Sequence, residues 1–511
     1  MNKINKIQNG FAYDLNGWRF ISIHGSPKER GYAYGYLCAD IFKDIPKMLS
    51  FQIMEIYGET WDFMIKNINK CIKEKTIKDF NEWYQEMVGI TEGINATGVK
   101  TTIDEIIAWN FYNSLPYWYS YFKELESGRV NLMHKEGGAP DKCSAFIACG
   151  EYTKDGKIVV AHNTFDEYLS GQYLKIVLDI HPDNGNRIIM QTCPGWIYSG
   201  SDFFITSKGI IGTETTIGGF NGYENLIPVA YRARKAMQYG NNLDDYVKIF
   251  LEGNSGDYAN SWLFGDINTN EILRIELGLK YHNIEKTKNG YFIGFNAAYD
   301  ERIRNKECVN NGFYDIRRHQ GARRVRLTEL MEENKGKIDL EVAKKIIADH
   351  YDVYLLKEDN PCSRTVCSHY DLDSRKYMSQ SDRPKPFAPR GALDGCVTDS
   401  TLAKEMTFWG RYGSSCEIPF NKDEFCKKHI QYENYREYLM DRPSQPWTKF
   451  SSNNFKEKND KLKKQKTKRS KTNNSFKKTI KNKILLLEDN NFPDDKENTN
   501  STLSENENSS L

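Results

Sequence analysis

Cys143-Ser-Ala-Phe-Ile-Ala-Cys149, Glu151-Tyr-Thr-Lys-Asp-Gly156 and Lys157-Ile-Val-Val-Ala-His162, continuing through Asn163-Thr-Phe-Asp166, form the stretch that decides the fold. Two apolar runs of strand length flank an Asp-Gly pair, and Asp-Gly favours the tight turn of a β-hairpin. Folding back at Asp155-Gly156 sets the end of the second run beside the start of the first. His162, Asn163 and Asp166 then come near the Cys143 thiol. Before Cys143 runs Glu136-Gly-Gly-Ala-Pro-Asp-Lys142, a polar, turn-rich connection of the kind that sits exposed. Most cysteines are small buried hydrophobes. An exposed linker that ends at the first residue of a strand singles this one out.

Downstream the strand texture continues at 173–180, 187–191, 203–206, 209–212, 261–264, 272–276 and 290–294. Helical patterns interrupt it at 228–240, 244–252, 316–333 and 340–350. Upstream, 1–140 reads mostly helical after a strand at Gly17–His24. Ser26-Pro-Lys-Glu29 marks a helix start, with Ser as cap, Pro at the first turn and Glu three residues on. Gly31 and Gly35 on that helix predict close packing against a neighbour. Strands with helices grouped between them argue for an α+β protein of layered sheets faced by helices. The expected organisation is a mostly helical segment 1–142, a core 143–450 and a tail 451–511.

The net charge of +2 conceals segregation. Residues 456–483 carry 13 Lys/Arg against 2 acids, and 488–511 carry 7 acids against one Lys. The remainder is mildly acidic and is not a nucleic-acid surface. The tail has too little apolar surface to offset ordering entropy and reads as disordered. Its basic run offers weak polyanion binding. The eleven cysteines include no Cys-x-x-Cys pair. No stretch reaches the roughly 20 apolar residues of a membrane helix, and the amino terminus lacks the apolar run of a secretory signal. The expected location is therefore cytoplasmic.

Cys143-Ser-Ala-Phe, the hairpin and Ala161-His-Asn-Thr-Phe-Asp166 resemble the opening of the β-chain in phospholipase B-like (lamina-ancestor-like) proteins. They are also similar to the linear-amide N-terminal-nucleophile (Ntn) hydrolases, which include penicillin acyltransferases and bile-salt hydrolases. His24-Gly-Ser-Pro-Lys-Glu-Arg-Gly31 resembles the acyltransferase amino-terminal signature. Cys193–Phe204, Gly212–Gly218, Ala259–Asp266, Gly290–Asn296 and Gly395–Thr401 fit in order, so the resemblance covers roughly 17–440.

The resemblance implies a four-layer αββα Ntn sandwich and self-cleavage of the Lys142–Cys143 bond, with Cys143 as nucleophile. A thiol pKa near 8.5 and an α-amine pKa near 7.7–8 suit each other. An amine released at Cys143 can therefore act as the thiol's own base. By resemblance, Asn163 or Asp166 orients the nucleophile, and His162 stands where bile-salt hydrolases carry Arg. Asn296 matches an oxyanion-hole amide, with Thr216 or Thr215 as a second polar donor. Arg323 or Arg324 matches the family arginine. His162 reads equally as a core histidine. Asp349-His350-Tyr-Asp352 and Cys367-Ser-His369 bring metal-ligand types together, but their spacing follows no zinc pattern, so neither metal nor cofactor is expected. Cys367–Asp371 resembles a structural segment of the acyltransferases. Trp109, Tyr112 and Trp196 suit an acyl or aromatic pocket, or a core. The expected activity is hydrolysis of a lipid acyl ester or a linear amide. The alternatives are an acyl-CoA-dependent N-acyltransferase and an inactive scaffold with a polyanion-binding tail.

Overall fold

The computed structural model describes residues 4–127, 142–200, 203–309, 311–373 and 387–451. The linker 136–141, the basic run 456–483 and nearly all of the expected tail lie outside the described residues. Two sheets carry the structure. The larger has ten strands in the order β1 (Asn5–Ile7), β2 (Gly10–Leu15), β3 (Trp18–Gly25), β6 (Ile176–Pro182), β7 (Ile188–Thr192), β8 (Phe204–Thr206), β9 (Ile210–Thr216), β10 (Asn260–Asp266), β11 (Glu271–Leu277) and β12 (His282–Thr287). The smaller runs β13 (Gly290–Gly294), β4 (Cys143–Cys149), β5 (Val159–Glu167), β15 (Asp394–Asp399), β16 (Thr407–Tyr412) and β17 (Thr448–Ser451), with β14 (Arg390–Ala392) also on β5. The parallel pairing of β3 with β6 puts the amino-terminal strands in the same sheet as residues that follow Cys143.

Strand alternation divides the apolar residues into layers. Trp18, Phe20, Val177, Ile205 and Leu263 of the large sheet meet Ala145, Ile147, Val160, Phe408 and Phe450 of the small one in a single buried cluster. Each fully buried aliphatic or aromatic side chain there stabilises the sandwich by about 1.5–3 kcal/mol. The other face of the large sheet is covered by helices α1 (Pro27–Phe42), α2 (Ile45–Tyr57), α3 (Trp61–Asp79), α4 (Asn81–Ala96), α5 (Ile103–Asn110) and α6 (Leu115–Ser127), and by Val229–Tyr239 and Leu243–Leu251. The outer face of the small sheet packs on His319–Glu333 and Leu340–Ile346. The result is the αββα sandwich.

Helices α1 and α4 lie backbone to backbone, as Gly31 and Gly35 predict. A Cβ on Gly31 would stand 2.0 Å from the Glu86 carbonyl oxygen, and one on Gly35 would stand 2.1 Å from that of Ile90. Gly89 and Gly93 reciprocate against the Lys28 and Tyr32 carbonyls at 2.2 and 2.1 Å. Beside this seam, buried Glu86 receives Arg30 Nε at 2.7 Å and Arg234 Nη2 at 2.8 Å. Arg234 also donates to the Ile197 carbonyl, tying this helical layer to the loop that walls the candidate site.

Candidate active site

Strand β4 begins at Cys143 and pairs antiparallel with β5, with Cys143 opposite Thr164 and Ala145 opposite His162. Directly paired residues share a face. Cys143, His162 and Thr164 therefore face the layer between the sheets, and Asp166 follows two residues further along that face. Ser144 and Asn163 face the outer helices. A one-residue difference in strand parity thus decides which predicted residues meet.

The Cys143 thiol is buried and donates to Glu214 Oε1 at 3.5 Å. Tyr258 donates to the same oxygen at 2.9 Å. A ring nitrogen of His162, the Cys143 sulfur and a Glu214 carboxylate oxygen all lie within 4.8 Å of one another. Burial sets their protonation. It raises the Cys143 thiol well above its usual range, with the Glu214 carboxylate adding to the rise. It pushes Glu214 up to about 8 and His162 down to about 3. At neutral pH the trio is chiefly a thiol, a carboxylic acid and a neutral imidazole.

Arg323, on the helix His319–Glu333, reaches through from the outer layer. It donates to the Cys143 carbonyl at 2.8 Å, to Ser144 Oγ at 3.1 Å and to Asn296 Oδ1 at 2.7 Å. Asn296 sits just after β13 in left-handed backbone (φ 68°), and its Nδ2 donates to the Thr216 carbonyl at 2.6 Å. Arg323, Asn296 and Thr216 thereby brace the end of β9 that carries Glu214. Thr215 points the other way, against Gly294. Arg324 is turned to the Phe313 carbonyl and ring. Asn163 is kept from the thiol by its strand parity. Its Nδ2 donates to the Ile347 carbonyl at 2.7 Å and the Val366 carbonyl at 3.3 Å.

On the thiol side, Lys142 Nζ pairs with Asp166 Oδ2 at 2.9 Å and lies over the rings of Tyr112 and Tyr258. The Lys142 carbonyl accepts from the Phe165 N–H at 2.6 Å. Around them Trp109, Tyr112, Leu174 and Trp196 wall a small pocket that Cys143 and Asp166 also line. Helix α5 holds that wall in place. Trp109 Nε1 donates to the Pro194 carbonyl at 2.8 Å, Asn110 Nδ2 to Gly195 at 2.9 Å, and Asn110 Oδ1 accepts from Ile197 N–H.

Sequence reading passed over two buried acids. Glu214 carried a signal, an acid inside the otherwise uncharged strand Ile210–Thr216. Asp394 accepts from Thr164 N–H at 2.9 Å and Gln191 Nε2 at 2.6 Å, and burial pushes it up to about 6.

The described residues thus form a four-layer αββα sandwich whose small sheet presents Cys143 at the first residue of an inner strand. Residues 32–276 match the family described as Phospholipase B. Phospholipase B from Crotalus adamanteus is 27% identical over 260 residues, 45% of this chain and 44% of that protein. Putative phospholipase B-like 2 from Rattus norvegicus is 32% identical over 339 residues, 57% of this chain and 56% of that one. A mutant conjugated bile acid hydrolase from Clostridium perfringens aligns at a TM-score of 0.33 and 11% identity, over 53% of this chain and 89% of that one. The chain spans about half the length of the curated relatives it matches. Over residues 32–276 this chain is similar to that family. No helix among the described residues is long and apolar enough to cross a membrane.

Proposed function

We propose that the protein is a cysteine Ntn hydrolase that frees its nucleophile by cleaving Lys142–Cys143 and then cleaves a lipid acyl ester or a linear amide through a thioester. The observation that carries this reading is Cys143 itself. It stands at the start of β4, lines a pocket with aromatic walls, and hydrogen-bonds through its thiol to the buried acid Glu214.

In the precursor, Cys143 Sγ attacks the Lys142 carbonyl carbon while the thiol proton passes to the ionised fraction of Glu214. The Phe165 N–H, 2.6 Å from the Lys142 oxygen, stabilises the negative charge that develops there. Glu214 returns that proton to the departing nitrogen as the Lys142–Cys143 C–N bond breaks, giving a thioester and a free α-amine. Water then hydrolyses the thioester, leaving a Lys142 carboxylate and the Cys143 thiol. Departure of Lys142 removes the cation from Asp166 and the side chain from the pocket. The Asp166 carboxylate is then available to hold the new α-amine, which serves as base for the second attack. The substrate acyl group occupies the pocket of Trp109, Tyr112 and Trp196 and forms a thioester on Cys143 as its C–O or C–N bond breaks. The alcohol or amine departs with the proton that the α-amine took from the thiol, and the acyl group leaves as the acid when water attacks.

The test is turnover of a panel of phospholipids, N-acyl amino acids and penicillin-like amides by the processed protein. Hydrolysis of at least one class, lost in Cys143→Ala, supports the reading. Hydrolysis that persists in Cys143→Ala overturns it.

A further inference from the structure

Outside the residues matched to the family, four side chains from three separate stretches converge behind the small sheet. His350 follows the helix Leu340–Ile346, Cys367 and His369 lie on the loop 362–373, and Cys416 follows β16. One ligand atom from each lies within 4.8 Å of the other three. His369 Nε2 is 3.4 Å from Cys367 Sγ and 3.2 Å from Cys416 Sγ. With Zn–S of about 2.3 Å and Zn–N of about 2.0–2.1 Å, a tetrahedral site has S···N edges of roughly 3.6 Å. Both S···N edges at His369 fall a few tenths of an ångström short of that value, and the other ligand atoms lie within 4.8 Å.

His350 Nδ1 stands 3.2 Å from Asp359 Oδ1. That carboxylate fixes the His350 tautomer with the proton on Nδ1 and leaves the Nε2 lone pair for a cation, as is usual for metal-bound histidines. His369 Nδ1 has Asp371 Oδ1 3.7 Å away, a charged neighbour beyond hydrogen-bond length. Cys367 and His369 are buried, and Cys416 and His350 partly so. Two sulfurs and two imidazoles make a structural Cys2His2 donor set among the described residues.

We propose that His350, Cys367, His369 and Cys416 bind one zinc ion that clips the segment 350–373 to the end of β16. The neighbours of the four ligands give the clip its purpose. Ser415 donates to the Ile347 carbonyl at 2.7 Å. Asn163 Nδ2 bonds the Ile347 and Val366 carbonyls and Ser415 Oγ. Val366 and Ser415 immediately precede the ligands Cys367 and Cys416, and Ile347 stands three before His350. The loop also pairs at His369 with Gly391 of β14, which in turn pairs with Asp166. The zinc site therefore anchors the strand β5 that presents His162, Thr164 and Asp166, without touching substrate.

The test is metal analysis of the full-length protein purified with zinc present and without chelators. The expected result is one zinc per chain in the wild type and in Cys143→Ala. Cys416→Ser should lose it, with a fall in Tm of about 5 °C or more. Cobalt exchanged into the wild type should give the intense visible bands of a tetrahedral thiolate site, a readout that holds even if Cys416→Ser does not fold. Less than about 0.2 zinc per chain, retention of zinc in a folded Cys416→Ser, cobalt bands of an octahedral oxygen site, or a Cys367–Cys416 disulfide in the peptide map would each overturn the proposal.

Discussion

Replacing Glu214 with Gln tests the electrostatics of the site through a quantity independent of substrate. In the folded precursor burial pushes the Glu214 carboxyl up to about 8, from an ordinary value of 4.5. The folded state holds this proton more tightly than the unfolded chain does. The contribution of Glu214 to stability is therefore full below the unfolded pKa and is lost as pH rises toward the folded one. The slope inside that window is about 1.4 kcal/mol per pH unit. Between pH 5 and pH 8 the wild-type chain should lose about 4 kcal/mol that the Glu214→Gln variant keeps. A Gln Oε1 can still accept from Tyr258. Its Nε2 takes the place of Glu214 Oε2, which has no hydrogen-bond partner among the described residues. That substitution adds a penalty of about 1–3 kcal/mol that does not depend on pH. The signal is the slope and not the level. The assay is urea unfolding at pH 5, 6, 7 and 8 for both chains in a Cys143→Ala background, which prevents processing. Stability curves that run parallel across the window would refute the buried-acid reasoning.

The other predictions address the frame of the site. Arg323→Lys keeps the charge but cannot bridge the Cys143 carbonyl, Ser144 and Asn296 together. It should slow processing by about 10²-fold or more, as loss of a fixed charge-stabilising donor does, measured as the appearance of the 143–511 fragment over time. Asp166→Asn should spare folding and reduce turnover of the processed protein, whereas Asn163→Ala should lower Tm by several degrees while cleavage still proceeds. The reverse assignment would show that Asn163 faces the thiol. Gly35→Ala forces a methyl into the Ile90 carbonyl and should destabilise by about 1–3 kcal/mol or more, read as a fall in Tm. A neutral outcome there would refute the close α1–α4 seam.

The fold was legible where burial is uniform. Strands such as β4, β7 and β10 are continuous runs of buried residues, so their apolar character marks them in the sequence. The edge strand β12, His282-Asn-Ile-Glu-Lys-Thr287, alternates exposed and half-buried residues and carries charges. It passes unnoticed because its partner β11 supplies the burial. At the site, the hairpin pattern brought β5 alongside Cys143. Parity then depended on register, which a connection containing a turn of 3-10 helix at Gly150–Tyr152 does not fix. Glu214 was hidden because an acid in a strand reads as solvent-facing until tertiary packing closes over it. Cys416 lies 47 residues from His369, so no local spacing announces a shared metal.

The central claim is that Cys143 becomes the amino terminus of a second chain, and intact-mass measurement of the denatured, purified protein tests it most directly. The account predicts two fragments in equal amount, ending at Lys142 and beginning at Cys143, and a single unbroken chain in Cys143→Ala. A wild-type chain that remains whole, or is cut elsewhere while its activity survives, would contradict it.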